Sequence, residues 1–260
     1  MTKLTAQAAG TFAIAPTPFH DDGRIDEKSI DRLTDFYAEV GCDGVTVLGI
    51  LGEAPKLDAA EAEQVAIRFV KRAKDMQIIV GVSAPGFASM RSLAKASMDA
   101  GAAGVMIAPP PHLRTDDQIT GYFKQAQEAI GDIPWVLQDY PLTLAVVFTP
   151  QVIRKIVMDS PSCVMLKHED WPGLEKISAL RAFQKDGSLR PLSISTLRNV
   201  VLPSQSEARC AASICLARFA STKAFDPFGR AKRMPLSSKV SRMAAMRKLR
   251  VTSSSLSPPE

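Results

Sequence analysis

Lys167 closes the apolar run Cys163-Val164-Met165-Leu166, which reads as a buried strand. A charge is costly in such a place. A neutral amine is useful there, because burial disfavours the ammonium and an unprotonated lysine condenses with carbonyls to form a Schiff base. With a 2-oxo acid such as pyruvate, the resulting iminium is an electron sink for a carbanion on the neighbouring carbon. That one device supports aldol addition, retro-aldol cleavage and dehydration. The bland alternative is a solvated lysine paired with Glu169 or Asp170. Two other segments could serve the same chemistry. Gly49-Ile50-Leu51-Gly52-Glu53 follows an earlier apolar run. Its two glycines permit a tight turn and close backbone approach, and its amides could bind a carboxylate. Tyr140-Pro141 follows another such run, and a tyrosine there could relay protons or orient an oxygen. The structural alternatives are an ordinary glycine-containing turn and an aromatic side chain packed on a rim.

The elements that must position these residues repeat along the chain. Short apolar strands are predicted at Phe12–Pro16, Gly44–Leu48, Ile78–Val82, Gly104–Ala108, Trp135–Leu137, Cys163–Lys167 and Leu192–Ile194. Helices are predicted between them. Ile25–Val40 has Ile30, Leu33, Phe36, Tyr37 and Val40 on one face, with Gly41 as its stop. A second helix opens at Asp58 with Glu61 at capping-box spacing and runs to Asp75. The others span Ser89–Ala100, Thr115–Ile130, Thr149–Asp159 and Leu174–Gln184. Strand starts recur about every 30 residues, the length of one βα unit. Strands this short and apolar suit a parallel sheet covered by helices. The predicted fold class is therefore α/β, a (β/α)8 TIM barrel with seven units visible, incomplete after the seventh strand. A doubly wound open sheet is the alternative. The barrel is preferred because the candidate chemistry follows several different strands.

The chain has 260 residues, enough for one barrel-type domain or two small ones. No apolar run of about 18 residues occurs, so no membrane span is expected. Cys42, Cys163, Cys210 and Cys215 show neither disulfide-scaffold density nor zinc spacing, and a reducing cytoplasm is the simplest compartment. His20, His112 and His168 are scattered, so no metal or other cofactor is expected. The net charge of +5 is unevenly spread. Residues 190–260 hold 13 Lys+Arg against 3 Asp+Glu, whereas residues 1–189 hold 19 against 24. Two regions follow from that break: 1–194, a (β/α) barrel catalytic region, and 195–260, an atypical basic region.

Together the motifs resemble the dihydrodipicolinate synthase/N-acetylneuraminate lyase family of class I Schiff-base lyases. The stretch from Gly10 to Phe19, with Asp22-Gly23-Arg24-Ile25-Asp26, resembles the family's opening strand and first loop. Gly41 to Glu53 resembles its second strand and Gly-x-x-Gly-Glu loop, and Leu57 and Glu61 match the helix that follows. Gly101–Ala108 resembles its fourth strand, and Leu166-Lys167-His168-Glu169-Asp170 falls where the family carries its Schiff-base lysine. The resemblance covers about residues 10–194. It implies a TIM barrel, a homo-oligomer (commonly a tetramer) and Schiff-base chemistry on a small 2-oxo acid.

This sequence departs from the family pattern at several points. The glycine loop usually reads Gly-Thr-Thr-Gly-Glu, but Ile50 and Leu51 bring no hydroxyl, so the loop amides of Gly49–Glu53 must bind the carboxylate alone. The family's fifth-strand tyrosine falls at Gln138, with Tyr140 two residues later. Pro109-Pro110-Pro111 stands where a second tyrosine often follows the fourth strand. The arginine expected near Thr143 in a true synthase is missing. An aldolase or dehydratase acting on pyruvate or a sugar-derived 2-oxo acid therefore fits better than lysine biosynthesis. Beyond Ile194 the glycine-rich barrel end is gone, and the composition has the look of a shifted reading frame beginning near Ser193–Leu197. Two other readings stay open. One is a catalytically inactive relative with a damaged C-terminus. The other is nucleic-acid binding by Arg230-Ala231-Lys232-Arg233 and Arg247-Lys248-Leu249-Arg250, although charge runs are usually solvated faces.

Overall fold

The structure, a computed structural model, describes residues 2–196. Seven strands form one sheet in chain order, every neighbouring pair parallel. They are β1 (Phe12–Ile14), β2 (Gly44–Val47), β3 (Gln77–Gly81), β4 (Gly104–Ile107), β5 (Trp135–Asp139), β6 (Cys163–His168) and β7 (Ser193–Thr196). The connecting helices are α1 (Glu27–Glu39), α2 (Ala59–Arg72), α3 (Phe87–Asp99), α4 (Asp116–Ile130), the single turn α5 (Pro141–Leu144), α6 (Pro150–Asp159) and α7 (Leu174–Lys185). This is the incomplete (β/α)8 barrel that the βα rhythm predicts. What the sequence suggests for residues 197–260, a closing strand, the basic runs and the continuation of the shifted frame read from near Ser193–Leu197, lies outside the described residues.

Local chemistry sets the helix ends. Asp58 accepts from the Glu61 amide (2.8 Å) while Glu61 accepts from the Asp58 amide (3.1 Å), a reciprocal capping box at the start of α2. Thr115 and Gln118 do the same for α4. Gly41 and Gly131 take positive φ values of 78° and 68° just past α1 and α4, which a side chain would resist. Arg68 of α2 holds Asp31 of α1 through two parallel hydrogen bonds of 2.7 Å, and Arg72 grips Asp35 in the same way.

Successive strand residues divide between two cores. Val45, Val47, Ile78, Val80, Val105, Ile107, Trp135, Leu137, Cys163 and Leu166 pack outward under the helices. Ile79, Met106, Val136 and Met165 point the other way into a separate inner cluster. Both faces are apolar, as strands in a helix-covered parallel sheet require. Leu4, only 2% exposed, plugs the inner cluster and donates its amide to Ala103 O (2.8 Å). Ser193 Oγ donates to Ala8 O (2.8 Å), so β7 reaches the segment that leads into β1. The sheet is therefore curled around the inner cluster.

One irregularity decides which way the candidate lysine faces. Trp135 pairs with Cys163, but the next residue, Val136, pairs with Met165, so Val164 is an extra residue in β6. A bulge of this kind shifts the alternation by one. Cys163 faces outward with Trp135, and beyond the bulge Met165 and Lys167 face inward with Val136 and Gln138.

Candidate active site

Lys167 sits near the C-terminal end of β6, one pleat above the apolar floor made by Met106, Val136 and Met165. It is 9% exposed. Its register partner on β5 is Gln138 and on β7 is Ser195. Its Nζ lies 2.6 Å from Glu169 Oε2. The Gln138 amide Nε2 donates to the same oxygen over 2.7 Å. Lys167, Glu169 and Gln138 thus form one buried cluster. The alternation of β6 brings the first two to the same side, and pairing across β5–β6 adds the third. Burial pushes the Lys167 amine below the ordinary lysine range, and the Glu169 carboxylate pulls it part of the way back.

The sequence allowed Lys167 a carboxylate partner among Glu169 and Asp170, as a solvated pair. The structure assigns Glu169 and buries the pair. Asp170 bonds instead to Lys176 of α7 (2.7 Å). Burial alone would raise the Asp170 carboxyl, and Lys176, the Trp171 amide and His168 together more than offset this.

The loop after β2 leans over the same interior. A side chain on Gly49 would rest 3.4 Å from the Met106 methyl, directly on the inner floor. Gly52 O accepts from the buried Thr17 hydroxyl over 2.6 Å, which ties the loop to the segment after β1. Leu48 and Glu53 flank the turn with φ of 54° and 56°, values non-glycine residues seldom adopt. Among the described residues, the amides of Ile50 and Leu51 find no acceptor. Their side chains are exposed, at 37% and 55%. Glu53 does not join the Lys167 cluster; its carboxylate pairs with Lys56 at 2.5 Å.

Tyr140 stands one residue past the end of β5 and precedes α5. It is half-buried, and its hydroxyl makes no hydrogen bond among the described residues. It is not brought into the Lys167–Glu169–Gln138 cluster.

Sequence reasoning missed a second buried polar network behind the site. His168 Nδ1 lies 2.8 Å from Asp139 Oδ2, which also accepts from Lys176 Nζ over 2.9 Å. His168 Nε2 meets Gly173 O at 3.1 Å. Both ring nitrogens thus face acceptor oxygens, which fix the plane of the imidazole. The signal was present in the sequence: His168 follows Lys167 and Asp139 follows Gln138, so alternation sends both to the opposite face of the sheet. The network pins the segment after β6 to α7, beneath the residues that hold Lys167.

A family model for the dihydrodipicolinate synthetase family matches residues 7–171. The chain belongs to this family. The dihydrodipicolinate synthetase match bears out the resemblance read from the motifs. A curated relative, the 4-hydroxy-tetrahydrodipicolinate synthase of Persephonella marina, is 33% identical over 162 residues, covering 61% of this chain and 54% of its own. The chain spans about half the length of the curated relatives it matches. The crystal structure of dihydrodipicolinate synthase from Rhodopseudomonas palustris is 83% identical, with a TM-score of 0.74, covering 75% of this chain and 65% of that one. The fold is also shared with YagE, a prophage protein from E. coli solved in complex with pyruvate (TM-score 0.65, 19% identity, 72% and 62% coverage). No helix among the described residues is long and apolar enough to cross a membrane.

Proposed function

We propose that this chain is a lyase or aldolase that forms a Schiff base between Lys167 and pyruvate or a sugar-derived 2-oxo acid. The observation that carries the reading is the inward-facing Lys167, buried at the C-terminal end of a barrel strand, with its amine pushed toward the neutral form. Active sites of such barrels gather at that end. The neutral amine attacks the keto carbon, water leaves, and the iminium accepts electrons from the C3–H bond to give an enamine. The amides of Ile50 and Leu51, without an acceptor among the described residues, offer donors for the substrate carboxylate. Gln138 and Glu169 provide polar contacts beside the reacting nitrogen. The barrel domain over 1–194 and a homo-oligomer belong to the same proposal. Sedimentation of the full chain at its monomer mass would remove the oligomer from it.

A second reading has one observation in its favour. The Lys167–Glu169 pair is closed and buried, as a structural ion pair in an inactive relative would be. Exchange of the pyruvate methyl protons in deuterium oxide, followed by NMR, separates the two readings. The enamine route predicts exchange that rises with pH as the amine loses its proton. The midpoint lies below the ordinary lysine value of about 10.4, because burial lowers the Lys167 pKa. An inactive relative gives only the background rate, and a midpoint at or above the ordinary value assigns the exchange to some other, solvated lysine.

A further inference from the structure

We propose that Glu169 is a catalytic residue, the proton carrier for Schiff-base formation at Lys167; this deepens the Lys167 reading and rests on it. Forming an iminium from an ammonium and a ketone moves several protons in turn, so a group beside the nitrogen must alternate between base and acid. Glu169 Oε2 lies 2.6 Å from Lys167 Nζ, within reach for direct transfer. No other proton-carrying side chain among the described residues is bonded to that nitrogen. Tyr140 has no hydrogen bond to it, His168 faces the opposite side of the sheet with Asp139, and Ser195 Oγ is turned to Leu166 O.

The carboxylate is also held in a way that suits the task. Lys167 and Gln138 both converge on Oε2. Oε1 accepts from no described residue. One oxygen is therefore engaged with the nitrogen, and in the proposed cycle the other serves the oxygen of a bound substrate. Gln138 cannot carry a proton itself; its amide fixes the carboxylate in place and marks it as a positioning residue.

The protons balance around one cycle. Lys167 ammonium gives a proton to Glu169, and the free amine adds to the ketone carbon. Glu169 protonates the alkoxide, which yields a carbinolamine with a protonated nitrogen, and then takes back one of the nitrogen's protons. It finally protonates the hydroxyl, which leaves as water while the nitrogen lone pair forms the C=N bond. Of the ammonium's three hydrogens, two leave in the water and one stays on the iminium nitrogen, and Glu169 ends as the carboxylate it was.

Quenched-flow borohydride trapping with pyruvate, on the full chain, tests the assignment. Glu169→Gln keeps the size and the hydrogen bond to Gln138 but removes proton transfer. Trapping is expected to slow by about 100-fold or more, with the adduct still on Lys167. Glu169→Asp should recover part of the rate. Added formate should accelerate Glu169→Ala in proportion to its concentration, which a purely structural role would not produce. If Glu169→Gln misfolds in a thermal melt, the aspartate and formate arms decide. Trapping by Glu169→Gln within about 3-fold of the parent rate would overturn the role of Glu169 and leave Lys167 standing. No adduct on the parent chain would overturn both.

Discussion

Lys167→Met will abolish deuterium exchange into pyruvate and will cost the fold about 3 kcal/mol. The first effect follows because methionine has no amine to form the iminium, so exchange returns to the solution background. The second follows from Glu169, whose side chain is 3% exposed. Without Lys167 it keeps, among the described residues, only the Gln138 hydrogen bond, and a buried carboxylate stripped of its cation is strongly destabilising. Adding Glu169→Gln removes the stranded charge and should return most of the lost stability without returning exchange. Urea denaturation of the two variants measures this. Equal stability of the parent and Lys167→Met would show that the pair is far more solvated than its geometry implies.

Gly81→Ala should destabilise the barrel by about 3 kcal/mol and weaken binding of the substrate carboxylate as well. A Cβ on Gly81 would stand 2.1 Å from Leu48 O and 2.7 Å from Leu48 C. Both atoms are backbone, so no rotamer change relieves the overlap. Leu48 already sits at φ 54°, and pushing it moves the Gly49–Glu53 turn that hangs over the inner floor. The control is Gly121→Ala in α4, where the added methyl meets nothing within 4 Å. It should be neutral or stabilise by up to about 1 kcal/mol. Similar denaturation midpoints for the two variants would mean that the Leu48 backbone yields freely.

The parts of this fold legible in the sequence are those set by neighbouring residues. The capping box of Asp58 and Glu61 and the stop at Gly41 act over a few positions, and each stands where it was expected. Strand facing was not legible. Ile78, Ile79 and Val80 are all apolar, yet Ile79 alone of the three enters the inner cluster. With both faces of the sheet covered, the residue pattern carries no alternation to read. The bulge at Val164 hid in the same way, because a valine gives no sign of being unpaired. β5 extends past Leu137 through Gln138 and Asp139, where two polar residues end the apolar run although both side chains are buried. Their partners, Glu169 and His168, lie about thirty positions away. The place of Lys167 near the end of a buried strand was legible because a lysine closing an apolar run is conspicuous on its own. The gathering of Glu169 and Gln138 about it needed the cross-strand register.

The account rests on Lys167 as the Schiff-base nucleophile. The most direct test is borohydride reduction of the full chain in the presence of pyruvate, followed by proteolysis and mass spectrometry of the peptides. One reduced pyruvate adduct per chain, on the peptide carrying Lys167 and absent from Lys167→Met, is the predicted result. A folded chain that gains no adduct, or gains it on another lysine such as Lys176, would contradict the account.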